Sequence, residues 1–342
     1  MLTSADGLKK NGNDIYFCGQ PHSIFLGNAQ NNNFETFPLP IKGDFNPVTI
    51  SRLVSLIKQL KIDIIMANFN KDVRLGGIAK KIAGRGILVA RNGLPILQNK
   101  LIYRLTYQHL ADRILTNSIS IKNKYLHYGW LADDFIKVIY NGIDVSLPRQ
   151  TDTVEKLTEY KIPADSKVVG FFGRFVGQKQ PLTFLKAAMN IIRQIPNTRF
   201  IMAGDGPLRA SVEQEARTNK FSDRLILPGF QNDIFPLLNI CDLVLLTSYK
   251  EGLPNIVMEA MWAEKAVVAF DAGGVKELIP NDAVGRVVPM NDIYSMSEHS
   301  VSLLRNNDER KQLCSAASQF IKKNFSKDRM IAELQEFLSS LL

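Results

Sequence analysis

The stretch LVLLTSYKEGLPNIVME, residues 243–259, decides the fold because it joins two kinds of regular structure directly. Its first five residues form an almost continuous apolar run of strand length, which is typical of a strand buried on both faces of a parallel sheet. Pro254 suits the start of a helix, because its missing N–H would have no partner in the first turn. The amino end of a helix carries free N–H groups and about half a positive charge, which suits phosphate. The sequence therefore predicts an α/β protein with an anion site beside this strand.

Two glutamates in this stretch, Glu251 and Glu259, lie eight residues apart. Along a helix that offset approaches about 12 Å, which is near the distance between the ribose and the hexose of a nucleotide sugar. One carboxylate could then bind ribose hydroxyls and the other sugar hydroxyls, with the diphosphate over the helix end. That end consists of Gly252, Leu253, Pro254 and Asn255. Glutamates at this spacing also arise by chance, so their position after a buried strand is what favours a site.

Two cations follow another predicted strand, at residues 168–172. Gly173-Arg174 comes directly after it, and Lys179 lies at the start of the next predicted helix. Fixed cations at the carboxyl end of a strand can neutralise the charge that grows on a departing diphosphate, a task otherwise given to a metal ion. Ordinary surface charge in a loop is the alternative interpretation.

Two further loops have the same placement. Gly204-Asp205-Gly206-Pro207 follows a predicted strand at 200–203, and Asp271-Ala272-Gly273-Gly274, with Glu277 beyond it, follows one at 266–270. Glycines here let the backbone approach a ligand, although tight strand-to-helix turns explain them equally well. Because the carboxyl ends of parallel strands share one edge of a sheet, the four loops together predict one ligand site.

The remaining pattern predicts two doubly wound, Rossmann-like α/β domains that face a ligand-binding cleft. A chain of 342 residues exceeds the length at which one hydrophobic core keeps growing. We place the N-terminal domain at residues 1–147, the C-terminal domain at 148–325 and a closing helix, crossing back to the N-terminal domain, at 326–342. The polar stretch at 148–155 is interpreted as a linker, and residues 20–33, rich in Asn and Gln, as a loop.

The excess positive charge of the chain is confined to its first half. Residues 1–150 carry 19 Lys and Arg against 10 Asp and Glu, whereas the other residues carry 23 of each. The asymmetry favours an anionic partner for that half: a membrane surface, a phosphorylated lipid or nucleic acid. The alternative is that the positive charge serves only solubility.

No apolar run approaches the roughly 18 residues that cross a bilayer, and no signal peptide is evident, so we expect a cytoplasmic protein. Three scattered cysteines are too few for a disulfide framework or a metal site.

A basic, aromatic segment of this half is the predicted acceptor side. Tyr103 and Tyr107 lie on a helix predicted at residues 99–109. The cations around it are Arg74, Lys80, Lys81, Arg85, Arg91, Lys100 and Arg104. Such a helix can rest on anionic lipid, at about 1 kcal/mol per well-placed cation. The alternative is that both tyrosines are packing residues. Nucleic acid is disfavoured, because no nucleic-acid-binding motif accompanies the patch.

Taken together, these motifs resemble the C-terminal domain of glycosyltransferase family 4, which has the GT-B fold. The resemblance covers about residues 114–342 and includes Asn141-Gly142-Ile143-Asp144 and Gly273-Gly274-Val275-Lys276-Glu277. It implies a retaining, metal-independent transferase without a cofactor, whose donor is a UDP-, GDP- or ADP-sugar. Members with basic N-terminal domains build lipopolysaccharide, capsule or glycolipid, which implies a glycan or glycolipid acceptor at the inner face of the membrane.

The resemblance also implies roles for individual residues. Arg174 and Lys179 match the cations that hold the donor diphosphate, Glu259 matches the ribose-binding glutamate, and Glu251 matches the one that faces the donor sugar. Arg174, Lys179 and Glu251 are thus the catalytic candidates. Recognition of the base is expected from the backbone around Gly229 and Phe230. The donor-binding candidates are Gly173, Arg174, Lys179, Gly204, Asp205, Gly206, Phe230, Glu251, Gly252, Leu253, Pro254, Asn255 and Glu259.

Two departures from the family pattern concern the N-terminal half. The chain starts inside what is normally the first helix, so the first strand and its glycine loop are expected to be absent or shortened. Many members place a histidine after the strand at 87–90, where this chain has Arg91-Asn92-Gly93, the predicted acceptor-side residues. Front-face departure and attack needs no strong protein base, because the leaving phosphate can accept the proton. An inactive GT-B protein that binds nucleotide sugar, or a nucleotide-sugar epimerase, are the alternatives.

Overall fold

The computed structural model describes residues 2–146 and 153–342 of the chain. Their contacts divide it into two compact units, unit 1 (Met1–Tyr140 and Asp328–Leu342) and unit 2 (Asn141–Lys327). The predicted boundary at 147/148 and most of the predicted linker at 148–155 lie outside the described residues. The last three residues of that linker belong to a helix instead.

Unit 1 alternates short strands with helices. Its helices are α1 (Leu2–Lys10), α2 (Ile24–Asn31), α3 (Pro47–Gln59), α4 (Asn70–Ala83), α5 (Leu101–Leu110) and α6 (Ile119–Leu126). Its strands are β1 (Tyr16–Gly19), β2 (Glu35–Pro38), β3 (Ile64–Ala67), β4 (Ile87–Asn92), β5 (Arg113–Thr116) and β6 (Ile136–Val138). Local sequence sets these bounds, as at α3, where the Asn46 side chain accepts a hydrogen bond from the Thr49 N–H.

The strands of unit 1 form two separate parallel sheets. β3, β4, β5 and β6 lie side by side in chain order, while β1 pairs with β2. The predicted loop at 20–33 is wrong, because α2 forms inside it. Ser23 accepts a hydrogen bond from the Leu26 N–H, and Leu26 and Ala29 are buried one turn apart. Burial of this narrow face outweighs the weak helix propensity of the neighbouring asparagines.

Unit 2 continues the alternation with longer strands. Its helices are α7 (Thr153–Glu159), α8 (Pro181–Gln194), α9 (Arg209–Thr218), α10 (Phe235–Ile240), α11 (Asn255–Trp262), α12 (Val275–Leu278), α13 (Ile293–Arg305) and α14 (Asn307–Asn324). Its strands are β7 (Lys167–Phe172), β8 (Thr198–Ala203), β9 (Leu225–Gly229), β10 (Leu243–Leu246), β11 (Ala266–Phe270) and β12 (Arg286–Val288).

The six strands of unit 2 form one parallel sheet with the order β12-β11-β10-β7-β8-β9. The chain runs outward from β7 to β9 and then, in the other direction, from β10 to β12. This is the doubly wound, Rossmann-like order that the sequence predicts. The direction reverses between β7 and β10, and such sheets bind ligands at the carboxyl ends of the strands beside that reversal.

The core of unit 2 holds these strand ends in place. Every residue of β10 and β11 is buried. On one side of the sheet, Phe184 of α8 packs against Phe171 of β7 and Phe200 of β8, with ring centres 5.6 and 6.2 Å apart. A strand packed on both faces cannot shift by a residue without exposing apolar side chains, so its loops start from fixed positions.

The chain returns to unit 1 through its last helix, α15 (Lys327–Ser339). Met330, Leu334 and Phe337 recur at helical spacing and are buried. They share a core cluster with Val89 of β4 and Leu115 of β5. The last helix therefore completes the hydrophobic core of the unit that the first residues of the chain begin.

We expect Leu334→Ala to lower the free energy of unfolding of unit 1 by about 2–4 kcal/mol, because it leaves a cavity against β4 and β5. Urea titration of a Trp262→Phe background, in which Trp130 is the remaining tryptophan and lies in unit 1, isolates this transition. Leu342→Ala is the matched control, because Leu342 is exposed. Equal midpoints for the two variants would contradict the role assigned to α15.

Candidate active site

The loops after β7, β8, β10 and β11 form one framework at the carboxyl edge of the unit 2 sheet. The N–H of Phe175 donates to the carbonyl of Asp205 at 2.8 Å, which joins the first two loops. The N–H of Gly274 donates to the carbonyl of Gly252 at 2.7 Å, which joins the last two. The four loops that the sequence places at one edge thus contact one another in pairs.

A second set of hydrogen bonds joins these pairs across the reversal between β7 and β10. Gln178 Nε2 donates to the Lys250 carbonyl at 2.7 Å, and the Tyr249 N–H donates to the Gln178 carbonyl at 3.0 Å. The Thr247 hydroxyl donates to the Lys179 carbonyl at 2.9 Å. Sequence reasoning missed Gln178 and Thr247, because a single polar residue in a loop has no distinctive spacing.

An ion pair at this edge also spans the reversal. Lys179 Nζ lies 2.6 Å from Glu251 Oε1, and the Glu251 side chain is 7 % exposed. A carboxylate this buried needs a partner, because an uncompensated charge away from water is costly. The methylene chain of Lys179 passes Gly173, with Cδ 3.6 Å from the position that a Cβ on Gly173 would occupy. Two of the predicted site residues are therefore brought into direct contact.

Two glycines permit the close approach of these loops. A Cβ on Gly204, whose φ is +143°, would lie 2.0 Å from the Gly173 carbonyl oxygen. A Cβ on Gly273, whose φ is +60°, would lie 2.1 Å from the Glu251 carbonyl oxygen. Any side chain at either position would push neighbouring backbone away, so the glycines set the position of the residues that carry charge.

Helix α11 begins at Asn255, with Pro254 as the residue before its first turn. The predicted separation of about 12 Å between the two glutamates is therefore based on a wrong assumption, because only four of the eight steps follow the helical rise and contribute about 6 Å. Asn255 Oδ1 accepts a hydrogen bond of 2.9 Å from Asn141 Nδ2. This contact ties the Asn-Gly-Ile-Asp motif to the start of α11.

Glu259 is partly buried within α11. Burial raises the pKa of its carboxyl group from 4.5 to about 7. Across residues 2–146 and 153–342, no side chain forms a hydrogen bond or ion pair with this carboxylate. A ligand that donates hydrogen bonds to the ionised group, as a ribose diol does, would offset the cost of its burial.

The other predicted donor residues differ in exposure. Arg174 is exposed, and in the described part of the chain its guanidinium has no ion pair with Glu251. Phe230 is 73 % exposed. Asp205 pairs with Arg209, the first residue of α9, at 3.8 Å. Sequence reasoning missed Arg209, because one arginine in a charged amphipathic helix does not stand out.

The strand that precedes the predicted acceptor-side residues is two residues longer than predicted. Arg91 and Asn92 belong to β4, where Asn92 lies opposite Thr116 of β5, and Gly93 follows the strand. Asn92 is buried, and its Nδ2 donates to the Tyr125 hydroxyl at 3.3 Å. Burial lowers the pKa of the Arg91 guanidinium. Pairing with β5 thus draws both residues into the sheet.

The described residues contain neither a cluster of metal-ligating side chains nor a membrane-spanning helix. Among residues 2–146 and 153–342, no group of three or more His, Cys, Asp or Glu could hold a metal ion. None of the helices described is long and apolar enough to span a bilayer. The cysteines are free thiols, of which Cys241 and Cys314 are buried.

Comparison with known families covers most of the chain. Residues 152–320 match the family described as glycosyl transferases group 1, and residues 1–147 match glycosyltransferase family 4. The chain is a glycosyltransferase. It belongs to these families through both of its units, which confirms the resemblance that the motifs indicate.

The glycosyltransferase is similar to a polysaccharide biosynthesis protein and to a galactosyltransferase. It is 25 % identical to the Vi polysaccharide biosynthesis protein VipC/TviE of Salmonella typhi, over 85 % of this chain and 53 % of that protein, and so spans about half of its length. It is 29 % identical to UDP-Gal:alpha-D-GlcNAc-diphosphoundecaprenol alpha-1,3-galactosyltransferase of Escherichia coli, over 75 % of this chain and 70 % of that protein.

A solved structure agrees with the architecture. The crystal structure of Anabaena Alr3699/HepE in complex with UDP matches the glycosyltransferase with a TM-score of 0.88 at 22 % identity, covering 99 % of this chain and 95 % of that one. The predicted GT-B fold, with its two Rossmann-like domains, is therefore confirmed.

We expect Gly273→Ala to destabilise unit 2 by about 1–3 kcal/mol, because a Cβ forces the Glu251 carbonyl away and strains a left-handed residue. Urea unfolding of a Trp130→Phe background, with Trp262 buried in unit 2, measures this transition. Gly177→Ala is the control, since a Cβ there meets no atom within 4 Å. If both variants unfold alike, the close approach does not hold the loop in place.

We expect Glu259→Gln to stabilise the glycosyltransferase above pH 7 and to have little effect near pH 4.5. The raised pKa means that the folded chain binds more protons than the unfolded chain between about pH 4.5 and 7. The free energy of unfolding of the wild type therefore falls as pH rises through this window, by at most about 3 kcal/mol. Glutamine does not ionise and avoids that loss.

Unfolding of both proteins measured across this pH range tests the expectation. Glu264→Gln is the matched control, because Glu264 is exposed and follows the same helix. The difference in free energy of unfolding between the wild type and Glu259→Gln should change with pH. If this difference is the same at every pH, burial does not raise the pKa of the Glu259 carboxyl group.

Proposed function

We propose that the chain is a retaining, metal-independent glycosyltransferase that moves a sugar from a nucleoside-diphosphate donor to a lipid-linked or envelope glycan. The observation that carries the proposal is the 2.6 Å ion pair of Lys179 and Glu251 between the loops after β7 and β10. Doubly wound sheets bind ligands at this reversal of strand order. A cation and a carboxylate there suit a ligand with both a diphosphate and sugar hydroxyls.

The diphosphate is assigned to the amino end of α11 and to two cations. The first turn of α11 leaves N–H groups free and carries a partial positive charge. Lys179 lies beside Glu251, and the exposed Arg174 follows β7 on the same loop. Two fixed cations can stabilise the charge on the departing phosphate, which is the role that a metal ion has in other transferases.

The two glutamates are assigned to the two ends of the donor. Glu251, held by Lys179, accepts hydrogen bonds from hydroxyls of the transferred sugar. Glu259 accepts hydrogen bonds from the ribose, which supplies the donors that its carboxylate lacks in the described structure. Recognition of the base is assigned to the backbone near Phe230, which is exposed after β9.

The reaction needs no protein base. The bond between the sugar anomeric carbon and the β-phosphate oxygen breaks, and the acceptor oxygen bonds to the same face of that carbon. The acceptor proton moves to the leaving β-phosphate oxygen. The anomeric configuration is thus retained, and nucleoside diphosphate is the second product.

The identity of donor and acceptor is inferred from the relatives. The Escherichia coli relative is named for transfer from UDP-Gal to a GlcNAc-diphosphoundecaprenol, which supports a UDP-sugar donor and a lipid-linked glycan acceptor. The excess positive charge of residues 1–150 supports peripheral contact with the anionic inner face of the membrane.

We expect Lys179→Ala to lower kcat about a hundredfold or more, because a cation beside the leaving phosphate is lost. Glu259→Ala should mainly abolish donor binding. Both are measured as nucleoside diphosphate release from UDP-, GDP- and ADP-sugars with an envelope glycolipid extract as acceptor. Lys186→Ala, at an exposed lysine of α8, is the control. Release at wild-type rates from either variant, or donor binding by the wild type without any turnover, would refute the proposal.

A further inference from the structure

Helix α5 has two faces of different character. Thr106 and Tyr107 are buried, whereas the opposite face carries three large aliphatic side chains, Leu101, Ile102 and Leu105. These are 70 %, 52 % and 48 % exposed, respectively. Single exposed apolar residues are ordinary on protein surfaces. Here three of the first five residues of one helix are exposed and aliphatic, and such a patch is typical of an interaction surface. We name Leu101, Ile102 and Leu105 the α5 face.

The buried side of the helix fixes the direction in which the α5 face points. The Tyr107 hydroxyl donates to Asn70 Oδ1 of α4 at 2.7 Å. Tyr103 packs against the same core cluster as Tyr107. The tyrosines are therefore packing residues, which is the alternative that the sequence left open. The aliphatic residues of the same helix, on its outer surface, are the ones available for contact.

The cations of this region are not equivalent. Residues 73–111 contain seven Lys and Arg and no Asp or Glu. Three of the seven are neutralised by acids from outside this segment. These ion pairs are Arg74 with Asp44, Lys80 with Asp112, and Arg85 with Asp63.

The cations that border the α5 face keep their charge. Lys100 immediately precedes α5, and Arg104 lies between Ile102 and Leu105 in the sequence. Arg104 Nε donates to the uncharged Gln108 side chain at 3.2 Å. Within the described ranges neither cation has a carboxylate partner. Unneutralised positive charge and exposed aliphatic surface thus coincide on one short helix.

We infer that the α5 face is the surface by which this chain docks on an anionic lipid bilayer. A helix that lies in the membrane interface buries aliphatic side chains below the headgroups and keeps cations at their level. Lys100 and Arg104 can contact lipid phosphates while Leu101, Ile102 and Leu105 enter the acyl region. A protein partner would have to supply acids for the cations as well as an apolar surface. The inference rests on the proposed function only for the view that the acceptor is lipid-linked.

The experiment is sedimentation of the full chain with vesicles, without any nucleotide sugar. We expect binding to vesicles of equal parts phosphatidylglycerol and phosphatidylcholine, and little binding to phosphatidylcholine alone. Lys100→Gln/Arg104→Gln should weaken binding about 25-fold, at roughly fivefold for each cation. Leu101→Ser/Ile102→Ser/Leu105→Ser should weaken it about tenfold or more at every salt concentration, whereas the cation effect should fade as salt rises.

Control variants carry the same types of substitution at exposed positions outside α5. Lys322→Gln/Lys323→Gln removes two exposed cations of α14, and Ile24→Ser/Ile82→Ser removes two exposed aliphatic side chains of α2 and α4. Both controls should bind vesicles as the wild type does. All the substituted side chains are exposed, and thermal unfolding checks that each variant folds.

Three results would overturn the inference. They are a wild type that stays in the supernatant, an α5-face variant that sediments like the wild type, and a wild-type dimer in light scattering that the α5-face variant abolishes. The last result would mean that a second copy of the chain covers the patch. Release of nucleoside diphosphate with a water-soluble acceptor should be unchanged in Leu101→Ser/Ile102→Ser/Leu105→Ser, so failure of docking is distinguishable from failure of the proposed function.

Discussion

The ion pair between Lys179 and Glu251 is the constraint on which the proposed donor site depends. A carboxylate that is almost wholly buried tolerates its surroundings only while a cation remains in contact with it. Because the two residues come from loops on opposite sides of the strand reversal, their attraction also holds those loops together. If the proposed site is correct, the charges that a diphosphate sugar meets are already in place before the ligand arrives, which reduces the reorganisation that binding requires.

Backbone contacts make this arrangement more exact than side chains alone could. Gly204 and Gly273 let carbonyl oxygens approach to distances that any Cβ would block. Hydrogen bonds from Gln178 and Thr247 fix the loop that carries Lys179. Strands β7 and β10 below are almost wholly buried, so the positions from which their loops start are fixed as well. Precision at the ion pair therefore derives from several layers of ordinary packing.

The sequence predicts much of this site because its signals are local. The apolar run at 243–247 and the glycine loops predict a buried strand and turns correctly. The sequence analysis missed helix α2, because its stability comes from burial of Leu26 and Ala29 against Phe17 and Phe34, which lie outside the helix. Burial of Tyr107 could not be predicted either, because tertiary contacts decide which side of α5 faces the core. The contact between Lys179 and Glu251, 72 residues apart, follows only from the strand order.

The return of α15 to unit 1 has a consequence for folding of the protein during translation. The apolar side of β4 and β5 that Leu334 and Phe337 cover is synthesised early, whereas these two residues follow the whole of unit 2 in the chain. Unit 2 is continuous in sequence, so its core contains no residue that is synthesised after Lys327. The core of unit 1, in contrast, cannot be complete until the ribosome has added α15. An apolar surface of the unit that is synthesised first is thus left without its cover while the other unit is made.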